Sequence, residues 1–87
     1  MELDKFSKLL KILFYCYRLE LSEEMTMAWY WILKDYSREA MEFSIKETIK
    51  VGYDRHEINV SILERSCRNY NQMLELEEKK NVHKLPR

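Results

Sequence analysis

A single glycine, Gly52, and a single proline, Pro86, are all that 87 residues contain of the two amino acids that punctuate a chain most strongly. Tight hairpin turns call for positive φ, which glycine supplies, and a multistranded sheet needs several such turns. The shortage argues against a sheet-rich fold. Strong helix formers (Leu, Glu, Lys, Met, Arg) dominate instead, so the expected fold is all-α, a compact bundle of about four short helices with a mobile C-terminal tail. The length fits one domain near the lower limit of independent folding. With 46% hydrophobic residues it can fill one core.

Apolar residues at three- and four-residue steps predict a first helix over residues 3–19, with Phe6, Leu9, Leu10, Leu13, Cys16 and Tyr17 as the buried stripe. Lys5, Lys8, Lys11 and Arg18 lie on its other side. Ser22, followed by Glu23 and Glu24, has the form of an N-cap with negative charge at the positive end of the helix dipole, which starts a second helix over 23–34. Its inward residues are expected to be Met25, Trp29, Ile32 and Leu33. Ser37 caps a third helix that Gly52 ends as a left-handed C-cap. Met41, Ile45 and Ile49 recur on one side of it, while Ala40, Phe43 and Val51 broaden its apolar surface, so more than one neighbour should cover it. Asn59 caps a fourth helix through Ile62, Leu63, Cys67, Tyr70, Met73 and Leu74. Residues 1–74 form the expected domain, and the charged stretch 75–87 is read as a frayed helix end and tail. The expected core is Phe6, Leu9, Leu13, Trp29, Ile32, Leu33, Ile45, Ile49, Ile62, Leu63 and Tyr70.

Trp29 and Trp31 raise a specific question. Helical positions two apart point about 200° away from each other, so the two indoles cannot face one core surface. Trp31 lies beside Met27 and close to Tyr30. Either it fills a second groove against the first or fourth helix, or Met27, Tyr30 and Trp31 anchor another protein, since interface hot spots favour Trp and Tyr.

The remaining composition removes whole classes of function. Fifteen basic and fifteen acidic residues cancel, which leaves no general nucleic-acid footprint, only local groups such as Lys5, Lys8, Lys11, Arg65 and Arg68. No run approaches the roughly 20 apolar residues of a membrane span, and the start MELDKFSK lacks the order of a signal peptide. A cytoplasmic protein is expected, with Cys16 and Cys67 as two buried thiols in a reducing compartment. HEINV, from His56, has Val60 where a zinc-protease helix requires its second histidine, so His56 is read as a solvated loop residue and no metal is expected. One glycine cannot build a phosphate-cradling loop, and nothing marks a nucleophile turn. The expectation is a protein that is not an enzyme and holds no cofactor.

The order of residues resembles the phage-encoded replicative-helicase loader and inhibitor proteins of Gram-positive bacteriophages. The resemblance runs from Phe6 to about Arg65. It rests on an apolar first helix ending in Tyr17, on LSEEMTMAWYWILKDYS with Trp29 and Leu33 as a W-x-x-x-L pair, on REAMEFSIKETIKVGY as the third, amphipathic helix, and on INVSILER with Ile58, Ile62 and Leu63 leading into the last. HEIN stands where the family has a proline pair, and only about a dozen residues follow Leu74 where the family has a long C-terminal region.

The resemblance implies a non-catalytic replication accessory protein. Such proteins bind the ring-shaped replicative helicase, hold it inactive and release it when a phage origin-binding protein engages the complex. Leu76, Val82 and Leu85, spaced along the charged C-terminal stretch, are the residues that a short docking segment would use. Two other readings remain open on the residues themselves: an inhibitor or antirepressor that captures another host or phage factor through the Trp31 face, and a DNA-binding regulator. Self-association through Trp31 would use the same surface.

Overall fold

In the computed structural model the chain is described over residues 1–84, with side chains through Glu78. It is an all-α bundle of four helices: α1 (Leu3–Cys16), α2 (Glu23–Leu33), α3 (Arg38–Val51) and α4 (Val60–Lys84), with a 3-10 turn, Arg55–Glu57, before α4. Leu85 and Pro86 lie outside the described residues, as does the side chain of Val82. Among the described residues there is no strand, and no helix is long and apolar enough to cross a membrane.

Three helix starts and one helix end follow their local chemistry. Met25 N–H donates to Ser22 Oγ at 3.1 Å, Ala40 N–H to Ser37 Oγ at 3.1 Å, and Ile62 N–H to Asn59 Oδ1 at 3.2 Å. Each bond satisfies an amide that the first turn of a helix leaves without a partner. Gly52 closes α3 at φ 76°, the left-handed conformation that costs a residue without Cβ little. At α1 the boundary differs from the sequence expectation. The helix stops at Cys16 rather than near Leu19, because Arg18 turns to φ 54° and Leu19 N–H bonds back to the Phe14 carbonyl at 2.9 Å. Arg55 Nη2 then donates to the Arg18 carbonyl at 3.3 Å, pinning that turn to the segment before α4.

α3 is the central helix. It packs against α1 on one side and α4 on the other, and it buries Ala40, Met41, Ser44, Ile45 and Thr48. Both buried hydroxyls are satisfied inside the helix, Ser44 Oγ donating to the Met41 carbonyl at 2.8 Å and Thr48 Oγ1 to the Ser44 carbonyl at 2.7 Å. Phe6, Leu10, Leu13 and Phe14 of α1, Trp29 and Leu33 of α2, and Leu63 and Cys67 of α4 complete the core. Full burial of a side chain such as Leu13 contributes about 1.5–3 kcal/mol.

Several expected core residues sit elsewhere. Ile32 is 44% exposed and Ile49 is 38% exposed. Four residues advance a helix by about 40° beyond a full turn, so Ile49 rotates past Ile45 and off the arc that α1 covers. Ile32, three residues after Trp29, falls about 60° short of a full turn and lies on a flank of α2, where it borders a shallow groove with Asp35, Tyr36, Val60 and Glu64. Leu9, Ile62 and Tyr70 are half-buried at the rim. Cys67 is buried, but Cys16, at the last turn of α1, is exposed, which corrects the expectation of two buried thiols.

α4 continues beyond Leu74. Residues 71–78 are all exposed, so the stretch read as a frayed end prolongs α4 as an overhang, and the molecule measures 55 × 27 × 17 Å.

Candidate functional site

The two tryptophans of α2 have opposite surroundings. Trp29 is 8% exposed, its ring meeting Phe14 edge-on with centroids 5.2 Å apart. Trp31 is 75% exposed and is therefore not a core ridge. Met27, one turn before it on the same face, is 51% exposed.

Tyr30 has a different role from its neighbours. Its ring packs edge-on against Phe6 at 5.2 Å and its hydroxyl donates to the Met1 carbonyl at 2.7 Å. Met1 N in turn donates to the Lys34 carbonyl at 3.1 Å. Tyr30 thus ties α2 to the start of α1 and holds the helix that displays Met27 and Trp31. Beside Met27 an open groove of about 320 Å³ runs between α1 and α2, lined by Leu3, Ser7, Lys11, Leu21 and Thr26.

The far end of α2 is fastened to α4 by a charged cluster. Tyr36 OH donates to Glu64 Oε2, and Arg68 Nε donates to the same oxygen at 3.1 Å. These bonds, that from Tyr36 first, hold the Glu64 carboxyl below the usual carboxylate range. Partial burial and the bond to Glu64 push the Tyr36 phenol up to about 12. Burial likewise pushes the Cys67 thiol up to about 11, so it stays protonated at neutral pH.

Of the residues read from sequence as a binding set, Met27 and Trp31 share one exposed helix face, whereas Tyr30 is half-buried against Phe6. Leu76 does not join them. It is exposed on the α4 overhang, roughly three turns beyond Glu64, where α4 meets the loop after α2. Two exposed apolar residues of α1, Ile12 and Tyr15, were not singled out by the sequence reading, yet Tyr15 is 85% exposed. The available signal was phase: both fall opposite the Phe6, Leu10 and Leu13 stripe.

The charged candidates are dispersed. Lys5, Lys8 and Lys11 are exposed on α1, with Asp4 3.7 Å from Lys8. Arg68 is engaged by Glu64, and Arg38 by Glu42 at 2.9 Å. His56 is exposed in the 3-10 turn, and among the described residues no three His, Cys, Asp or Glu side chains gather as a metal site would need. Comparison with protein-family models, with curated proteins and with solved structures finds no match for the chain.

Proposed function

We propose that this protein is a non-catalytic accessory factor of phage-type DNA replication, which binds the replicative helicase and controls its loading or activity. The observation that carries a protein-binding role is Trp31, a large aromatic three-quarters exposed on a helix whose position is fixed from beneath by Tyr30 and Trp29. Rigid display of an aromatic anchor lowers the ordering cost of association, and Trp and Tyr are over-represented among residues that dominate binding energy. The helicase as partner, and an origin-binding protein as the trigger for release, rest on the resemblance of residues 6–65 to the loader and inhibitor family. Within this reading Met27 and Trp31 form the principal contact and Leu76 a second one on the overhang.

The test is capture of host and phage proteins by the full chain, by Trp31→Ala and by Leu76→Asp, at low and moderate salt. A hexameric helicase retained at moderate salt by the wild type and lost by Trp31→Ala supports the reading. Folded protein that recovers no helicase in any sample overturns it. DNA recovered in its place, with binding that falls steeply as salt rises, would assign the chain to DNA-binding regulators.

A further inference from the structure

The outer arc of α2 is apolar, and the charges set into it are of one sign. Met27, Trp31, Ala28, Ile32 and Met25 follow one another around the helix over about 160°, at 100° per residue. All five are exposed. Glu24 falls inside this arc and Asp35 lies just past its end, both exposed and neither in an ion pair among the described residues. The nearby cations are on the Met27 side, where Lys34 falls by phase and Lys11 lines the groove between α1 and α2 together with Glu23. The Ile32 side has the opposite character. Its groove of about 470 Å³, between the end of α2 and the start of α4, is lined by Asp35 and Glu64 and by no cation, and Glu64 is already held by Arg68.

Any molecule that covers Trp31 and Ile32 also covers Glu24 and Asp35. A carboxylate that loses water without gaining a cation is strongly unfavourable, so the occupant must bring positive charge to both. We infer that the partner segment at this face is a basic amphipathic helix, its apolar side laid over Trp31 and into the groove beside Ile32, its lysines or arginines set against Glu24 and Asp35. A helix fits because among the described residues there is no strand whose edge an extended peptide could join. α2 offers 11 residues, about 16 Å at 1.5 Å per residue, which matches the spacing of anchors at i, i+3 or i+4, and i+7 on a partner helix. An acidic segment of equal hydrophobicity would set like charge against the same two carboxylates and be rejected. The inference rests on the reading of the Trp31 face as a protein-binding surface and specifies the chemistry of what binds there. It does not depend on that protein being the helicase.

Two synthetic model helices test this with the full chain, one with leucine on one face and lysine on the other, the second with glutamate in place of lysine. Anisotropy of the dye-labelled peptides measures binding, and tryptophan emission reports on Trp31. The lysine peptide should bind and shift the emission to the blue as Trp31 leaves water, with the glutamate peptide about tenfold weaker or more. Trp31→Ala should weaken the lysine peptide by a similar factor. The double variant E24K/D35K, at exposed positions, should keep the helical circular dichroism of the wild type and reverse the preference. Failure of both peptides to bind, equal affinity for the two, or an unchanged preference in E24K/D35K overturns the inference. Helicase capture separates it from the proposed function. A helicase retained by the wild type, lost by Trp31→Ala and indifferent to E24K/D35K keeps that function and overturns the basic helix. The expected peptide results with no helicase recovered do the reverse.

Discussion

α2 and α3 invert the usual link between composition and burial. EEMTMAWYWIL is the more apolar helix, yet it buries only Trp29 and Leu33, whereas REAMEFSIKETIKV, with six charged residues, buries five side chains and stands at the centre. Position in the chain order explains part of this. α3 has a helix on each side, so two arcs of its surface are enclosed and its charges are confined to what remains. α2 also meets two helices, α1 and α4, but over a smaller part of its surface, and its surplus of apolar residues is left facing outward. The lesson is that total hydrophobicity measures how much a helix could bury, and neighbours decide how much it does. The excess on α2 is then the surface available to another molecule.

The strongest way to break this comparison is to truncate the two tryptophans separately. Trp29→Ala should destabilise the protein by about 3–5 kcal/mol, as large-to-small changes in cores do, and Trp31→Ala should change stability by no more than about 0.5 kcal/mol. Urea denaturation of both variants measures this, and equal losses would mean that α2 is enclosed on both faces.

A second, smaller effect concerns the caps. Ser37→Ala and Ser22→Ala each remove one side-chain bond to a first-turn amide, at about 1 kcal/mol. Their kinetic signatures should differ in hydrogen exchange. Loss of the Ser22 cap should accelerate exchange in α2 alone, because a peripheral helix can open locally, whereas loss of the Ser37 cap should accelerate exchange throughout the bundle. A global response to Ser22→Ala would place α2 in the same cooperative unit as α3.

The third effect is a change of stability with pH that lies outside the neutral range. Tyr36 fastens the loop after α2 to α4, and its folded-state pKa is raised from 10 to about 12. A raised value means that folding favours the neutral phenol, so its contribution is complete below about pH 10 and is lost as pH climbs toward 12. Thermal melts across that window should show falling stability, and Tyr36→Phe should flatten the fall. Glu64 gives the opposite slope in acid: its lowered pKa means stability present above the ordinary carboxylate range and lost as pH drops through the depressed value.

Much of this architecture was legible in the residues. Ser22, Ser37, Gly52 and Asn59 announce helix boundaries because each acts through its own side chain or its lack of one, within a few residues. The end of α1 was not legible, since Arg18 adopts a left-handed conformation with no glycine or asparagine to signal it. Ile32 and Ile49 were misplaced for a different reason. Periodicity locates an apolar stripe, but its width is set by neighbours that a single helix does not encode. Trp31 was legible as a residue off the stripe, though its exposure depended on whether α1 or α4 reached that face. Neither does. The outward phase of Ile12 and Tyr15 was readable.

The overhang of α4 has a thermodynamic consequence of its own. A free helix of about 14 residues is marginal in water because starting its first turn carries an equilibrium penalty of order 10⁻³, whereas adding residues to an existing helix does not. Val60 through Tyr70, held against α3, provide that first turn, so the exposed residues that follow are helical by extension from a packed template. Their helix content should therefore decline gradually on warming, from the free end inward, while the bundle is still intact. The protein is in effect a rod whose reach is set by temperature before it is set by unfolding.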